Sequence, residues 1–151
     1  MKKEYRFDYE AYDSRAALPE ADRQLAERAF EVCGQAFAPY SKFQVGAAAR
    51  LRSGKVLTGA NQESEVFPAG LCAERTLLFH WMAHHADDPI ETLAIASVPG
   101  ARECYPCGQC RQVLLDTERR QGSPLRIIMC SDLTASVVNS ATDLLPFQFK
   151  L

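Results

Sequence analysis

The sequence predicts an α/β fold, a three-layer α/β/α sandwich in which helices cover both faces of a mixed sheet of about five strands. Two observations support this prediction. A helical period of apolar residues changes to a period of two after residue 43, and apolar runs typical of buried strands then alternate with helix patterns. The 151 residues contain no internal repeat or linker-like stretch. They are predicted to form one domain, 1–151, with an N-terminal extension and the first helix in 1–35.

The first half of the chain is predicted to form a helix and a hairpin. Apolar side chains recur at helical spacing over residues 19–37. Side chains of residues 43–51 then alternate between the two faces of a strand. The Ser53-Gly54 pair is typical of a hairpin turn, so a second strand is predicted at 55–60.

The second half of the chain alternates strands with helices. Helices are predicted over 72–85 and 107–119, and strands over 92–98, 125–131 and 135–138. The first two of these strands are almost entirely apolar, which is typical of strands buried on both faces. Such strands must be covered on both faces, and helices on both sides of a mixed sheet provide that cover.

Composition excludes several classes of function. No segment approaches the roughly 18 apolar residues of a membrane span, and the N-terminus lacks the apolar core of a signal peptide. A cytoplasmic protein without a membrane partner is therefore expected. The net charge of −2 provides no basic face for nucleic acid, which favours a small diffusible substrate. In a reducing compartment, the six cysteines favour metal binding or catalysis over disulfides.

Two cysteine motifs suggest a catalytic zinc site. They are C-A-E at 72–74 and P-C-G-Q-C at 106–110. Three thiolates leave the fourth position of zinc open, and Glu74 offers a nearby base. Cys72 and the Cys107/Cys110 pair lie at predicted helix N-termini, which lower thiol pKa values. Arg75 is placed to offset the negative charge of the three thiolates.

Cys104 leaves open two alternatives to a catalytic zinc site, whereas the remaining two cysteines are predicted to be core residues. Cys104 extends the second motif to C-x-x-C-x-x-C, the start of an iron–sulfur run, but that run needs a cysteine where Leu114 stands. Cys104 could instead close a four-thiolate zinc site with no room for water. Cys33 and Cys130 are predicted to be core thiols, and the charged run at 118–120 is predicted to be solvated surface.

Five blocks resemble the homotetrameric type of cytidine deaminase, over about residues 36–149. A C-x-E motif followed by P-C-x-x-C is itself a signature of zinc deaminases. The blocks are APYSKFQVGAA at 38–48, NQE at 61–63, CAERT at 72–76, PCGQCRQ at 106–112, and LLP at 144–146 together with Phe149. The resemblance implies a cytidine deaminase-like fold and one Zn²⁺ per chain.

The resemblance also implies roles for the zinc-site residues. Cys72, Cys107 and Cys110 match the zinc ligands, Glu74 matches the proton shuttle, and Arg75 matches the residue that hydrogen-bonds the ligand thiolates. The implied reaction is hydrolytic. Water activated by the metal attacks C4 of the cytosine ring, Glu74 protonates N3, and ammonia leaves. The substrates implied are cytidine and deoxycytidine, in pyrimidine salvage.

The matched substrate-binding residues come from several blocks. Asn61 and Glu63 match a pair that holds the ribose 3′-hydroxyl, as an amide and a carboxylate together can. Phe43 and the backbone of Ala73 match groups that contact the base. Phe149 matches an aromatic residue inserted into a neighbouring subunit's site, which implies a homotetramer with shared active sites.

The chain departs from the family between residues 63 and 67. Phe67 replaces a tyrosine used near the sugar's 5′-hydroxyl, and Glu65 replaces a small residue. Losing the phenol hydroxyl would weaken binding by roughly 0.5–1.5 kcal/mol. Both positions are candidate specificity residues. The alternatives are a deaminase of a modified pyrimidine nucleoside or aminonucleoside antibiotic and, in another class, a non-enzymatic assembly protein stabilised by zinc.

Overall fold

A mixed sheet of six strands organises the chain in the computed structural model, which describes residues 1–151. The sheet order is β1-β6-β5-β4-β2-β3, with β4 and β5 parallel and the other neighbours antiparallel. The strands are β1 (Glu10–Tyr12), β2 (Gln44–Leu51), β3 (Val56–Ala60), β4 (Ile90–Val98), β5 (Arg126–Cys130) and β6 (Ala135–Val138). The helices are α1 (Glu20–Val32), α2 (Ala73–His84) and α3 (Gly108–Gln121). The predicted α/β class with a mixed sheet is confirmed.

Helices cover both faces of this sheet. Alternate residues of β2 point to opposite faces, so Ala48 packs in a core with α1 while Ala47 and Ala49 pack in a second core with α2 and α3. Leu77 and Trp81 of α2 are fully buried in that second core. The three layers follow from this division of the apolar side chains.

Two glycines allow helices to lie directly on the sheet. A Cβ on Gly46 of β2 would lie 2.0 Å from the carbonyl oxygen of Ala29 in α1. A Cβ on Gly59 of β3 would lie 2.8 Å from the carbonyl oxygen of Ala73, at the start of α2. Only glycine permits this approach. Gly59 therefore fixes where α2 begins relative to the sheet.

Two details differ from the sequence prediction. The sixth strand, β1, lies in the N-terminal extension and pairs antiparallel with β6, with Glu10 opposite Val137. Three residues carry too short a pattern to predict a strand, and this one forms through its pairing partner. Helix α1 ends at Val32 rather than near residue 37, and a short 3₁₀ turn, Cys33–Gln35, follows it.

Two of the cysteines in apolar stretches lie where the sequence predicts them. Cys33 and Cys130 are buried in the core beneath α1, so the prediction that both are core residues is confirmed. No helix combines the length and apolar character needed to cross a membrane.

Candidate metal centre

Two helix starts bring the three predicted ligands together. Cys72 immediately precedes α2, Cys107 immediately precedes α3, and Cys110 lies in the first turn of α3. Their Sγ atoms all lie within 4.8 Å of one another, and those of Cys72 and Cys107 are 3.9 Å apart. Tetrahedral zinc with Zn–S bonds near 2.3 Å requires sulfur atoms about 3.8 Å apart. The donor set and its spacing therefore fit a single zinc ion.

The environment favours the thiolate at Cys72. A hydrogen bond from Cys110 and the nearby guanidinium of Arg75 lower the pKa of Cys72 to about 5, although burial opposes the shift. The Nη2 atom of Arg75 lies 3.7 Å from the Cys72 sulfur. The pKa of Cys110 is raised because its thiol donates to Cys72 and is buried. Without metal, the two sulfur atoms share a proton, and zinc binding would displace it.

Glu74 is a buried acid next to the cluster of three thiols. It is the second residue of α2, and only 3% of its surface is exposed. Burial raises the pKa of its carboxyl to about 7, and the negative charge on Cys72 adds to the shift. A carboxyl with a pKa near neutrality can both accept and return a proton at physiological pH.

A cleft of 410 Å³ opens beside the cluster of three thiols. Five of the residues predicted for the site line it, and Arg75 is the only basic residue that does. The complete lining is Tyr40, Ser41, Asn61, Gln62, Glu63, Ser64, Phe67, Gly70, Leu71, Cys72 and Arg75. The cleft is large enough for a nucleoside-sized ligand.

Asn61 fixes the backbone at the edge of the cleft. It follows β3 directly, and its Oδ1 accepts a hydrogen bond from the Val45 N–H at 2.7 Å. Its Nδ2 donates to the Phe43 carbonyl oxygen at 2.9 Å. The amide thus holds the start of β2.

Glu63 holds the loop that precedes β2. Its carboxylate accepts from the Tyr40 N–H at 2.8 Å and from the N–H and hydroxyl of Ser41. The Ser41 hydroxyl lowers the pKa of Glu63, which keeps the carboxylate ionised. Two carboxylate oxygens have about four acceptor positions, so capacity remains for a ligand hydroxyl. Tyr40 and Ser41 were not predicted as site residues, although they lie in the 38–48 block.

The remaining predicted residues are distributed around the fold. Ala73 opens α2, where the first backbone N–H groups have no partner within the helix. The Phe43 side chain lines a different cavity, of 750 Å³. Glu65 is exposed and does not line the cleft. Phe67 lines the cleft with its ring edge against Tyr40, at 5.6 Å between centroids. Phe149 lies elsewhere, near the last turn of α3.

Cys104 does not belong to the cluster of three thiols formed by Cys72, Cys107 and Cys110. It is buried in the core shared by α2 and α3, and burial raises its pKa to about 12. A thiol in that setting is neutral and a poor metal ligand. The structure therefore gives no support to the closed four-thiolate site and leaves a three-thiol group with one open position.

Comparisons with known proteins agree with this geometry. The family profile of the cytidine and deoxycytidylate deaminase zinc-binding region matches residues 19–121. The chain belongs to this deaminase family. The match includes all three thiol ligands and Glu74, so the predicted family and the zinc-binding type of site are confirmed.

Relatives in this family span most of the chain. The cytidine deaminase of Halalkalibacterium halodurans is 40% identical over 96 residues, which are 63% of this chain and 71% of that protein. That of Mycobacterium tuberculosis is 40% identical over 101 residues, 66% of this chain and 74% of that protein. A crystal structure of cytidine deaminase from Burkholderia pseudomallei has a TM-score of 0.69 and 31% identity, covering 87% of this chain and 100% of that chain.

Proposed function

We propose that this protein is a zinc-dependent hydrolase that deaminates cytidine, deoxycytidine or both to the uracil nucleosides with release of ammonia, in pyrimidine salvage. The observation that supports it most strongly is Glu74, a buried carboxyl beside a three-thiol group with an open position. The relatives named as cytidine deaminases support the same reaction. A purely structural zinc site would need no buried proton carrier.

The proposed chemistry divides between the metal and Glu74. Zinc held by Cys72, Cys107 and Cys110 supplies the Lewis acidity that activates water. Glu74 accepts a proton, delivers it to N3 of the cytosine ring, and then assists the departure of ammonia. Because Glu74 is shielded from solvent, its proton goes to the substrate rather than to bulk water. The guanidinium of Arg75 offsets the charge of the thiolates.

The cleft supports a nucleoside as the substrate class. Asn61 and Glu63 present an amide and an ionised carboxylate at its edge, a pair that suits the ribose 3′-hydroxyl. Arg75, the one basic residue in the lining, is directed at the thiol of Cys72. No cation is therefore free for a 5′-phosphate, and Glu63 would repel one. We expect a nucleoside to be preferred over a nucleotide.

A homotetramer in the cytoplasm, with active sites shared between chains, completes the proposal. Phe67 and Phe149 are 73% and 64% exposed, which is unusual for aromatic residues in a finished binding site. In the proposed assembly, Phe149 of one chain contacts the base in another chain's cleft, while Phe43 and the Ala73 backbone contact it from their own chain.

A second candidate function is deamination of a modified pyrimidine nucleoside. Phe67 offers no hydroxyl to the cleft, and its ring packs edge-on against Tyr40. That part of the wall is more apolar than a tyrosine would make it. A substrate with an apolar group near the 5′ position would fit this wall better than cytidine itself. Glu65 lies two residues from Phe67 and does not line the cleft of its own chain. It would therefore affect substrate preference only if assembly with a neighbouring chain placed it at a cleft.

Ammonia release tests the proposed function. Zinc-loaded protein is incubated with cytidine, deoxycytidine, cytosine, cytidine monophosphate and adenosine, and ammonia is measured over time. We expect release from cytidine, deoxycytidine or both, and little from the other three compounds. Absence of release from both cytosine nucleosides would refute the proposal, and release from 5′-deoxycytidine alone, measured in the same way, would establish the second candidate.

A further inference from the structure

Helix α3 holds two different parts of the molecule at its two ends. Its start carries Cys107 and Cys110, and its last turns contact the C-terminal tail, defined as residues 140–151. Arg111 already links the two parts. Its Nε donates to the carbonyl oxygen of Pro106 at 2.9 Å, and its Nη1 donates to that of Leu144 at 3.4 Å. The tail is therefore attached to the helix that bears two of the three thiols.

Glu118 anchors the beginning of the tail. Its carboxylate accepts from the Ala141 N–H at 2.8 Å, the Ser140 hydroxyl at 2.6 Å and the Thr142 hydroxyl at 2.8 Å. It also accepts from the Leu125 N–H at 2.8 Å, immediately before β5. Four hydrogen bonds to one ionised group form a strong local anchor. The sequence predicts solvated surface here, which is wrong for this half-buried carboxylate.

Arg119 anchors the end of the tail. Its Nη1 donates to the Phe149 carbonyl oxygen at 3.2 Å, and its Nη2 donates to Oε1 of Gln148 at 2.8 Å. The planar guanidinium thus holds two consecutive residues with one fork. The main chain of Phe149 is fixed in this way while its ring stays exposed. Arg119 is exposed, as predicted, and it binds the tail from the surface.

The anchor Arg119 lies far along α3 from the metal centre. Arg119 follows Cys110 by nine residues of helix, a rise of about 14 Å along the axis. Phe149 does not line the cleft beside Cys72. In the proposed assembly, this exposed ring serves the site of another copy of the chain.

We infer that Glu118 and Arg119 are positioning residues, which hold the tail in the geometry that places Phe149 in the cleft of a neighbouring copy. The inference rests on the proposed function. A tail ordered in advance loses little freedom when its ring meets the substrate. A tail released from Arg119 would be in the competent position for only a fraction of the time. Apparent substrate affinity falls by that fraction, while the zinc chemistry is unchanged.

Steady-state kinetics of Arg119→Ala test this inference, with Arg120→Ala as the matched control. Arg120 is the next residue, is also exposed, and makes no hydrogen bond to the tail. We expect Arg119→Ala to raise KM for cytidine by about 3–10-fold with kcat unchanged, as a lowered competent fraction requires. Arg119→Lys, which keeps the charge but loses the fork, should recover part of the effect. Equal KM values for Arg119→Ala and Arg120→Ala would overturn the inference.

A double-mutant cycle with Phe149→Ala separates positioning from general stability. Base–aromatic contacts contribute about 1–3 kcal/mol, so Phe149→Ala alone should lower kcat/KM by about 5-fold or more. Adding Arg119→Ala to it should change kcat/KM by less than about 2-fold, because the anchor then has no ring to position. An equally large effect in both backgrounds would overturn the inference. Wild-type protein inactive on both cytidine and deoxycytidine would instead refute the proposed function itself.

Discussion

The metal centre and the two aromatic residues proposed to face the substrate, Phe67 and Phe149, differ in how they are built. Cys110 is fully buried and Glu74 nearly so, and the elements that hold them belong to one chain. Phe67 and Phe149 are mostly exposed, and the second of these lies at the far end of α3. In the proposed function, the reacting groups are therefore complete within a single chain, whereas the wall that recognises substrate is completed by a neighbouring chain.

Physical chemistry explains this difference. Shifting the Glu74 pKa to about 7 requires removal of water, which a helix start packed on the sheet achieves within one chain. Aromatic recognition requires only that the rings meet the substrate, and they can come from another copy. Exposed aromatic residues of this kind are enriched where protein surfaces associate. The following substitutions test each region separately.

Loss of a thiol ligand should have the largest effect. Cys107→Ala removes one of three zinc donors, so the variant should lose its bound zinc and all measurable deamination. Cys104→Ala removes a buried thiol outside the group and should retain one zinc per chain. Metal content by atomic absorption, together with ammonia release, checks both variants. Zinc loss from Cys104→Ala with retention in Cys107→Ala would reverse the ligand assignment.

Glu74→Gln should separate chemistry from metal binding. General acid–base catalysis contributes about 10²–10⁴-fold, so kcat should fall by roughly that factor while zinc content stays at one per chain. Glu91→Gln makes the same chemical change at an exposed position on β4 and serves as the control. If Glu74→Gln kept a wild-type kcat, the proposed proton carrier would have to be another group.

Glu63→Gln tests recognition of the sugar. A hydrogen bond to a charged group contributes about 1.5–3 kcal/mol, so kcat/KM for cytidine should fall by roughly 10–100-fold. With 3′-deoxycytidine as the substrate, wild type and variant should have similar kcat/KM values, because the hydroxyl that Glu63 binds is absent. An equal loss with both substrates would show that Glu63 acts through the loop it holds at Tyr40 and Ser41.

Phe67→Tyr should have the smallest effect. Restoring a phenol hydroxyl to the cleft should lower KM for cytidine by about 2–10-fold, the equivalent of one neutral hydrogen bond of 0.5–1.5 kcal/mol. Steady-state kinetics with cytidine and 5′-deoxycytidine measure the change, which should be confined to cytidine. A higher KM for cytidine would instead favour the modified nucleoside as substrate.

The same two regions differ in how far the sequence predicts them. The metal centre was predictable because short motifs place Cys72 and Cys107 directly before helices, and the predicted helices at 72–85 and 107–119 match α2 and α3 closely. The tail anchors were not, because Glu118 pairs with residues more than 20 positions away and nothing in its local sequence indicates them. Strand β1 was missed for the same reason, since β6 defines it.

Complementation between two inactive or weakened variants tests most directly whether chemistry and recognition come from different chains. Glu74→Gln and Phe149→Ala chains, carrying different affinity tags, are co-expressed, and the mixed oligomer is purified through both tags. In a random mixture of a shared-site oligomer, about a quarter of the sites combine an intact Glu74 with an intact Phe149 from a neighbour. We predict that kcat/KM for cytidine returns to about a quarter of the wild-type value, well above the mean of the two variants measured separately. A mixed oligomer no more active than that mean would contradict the shared site.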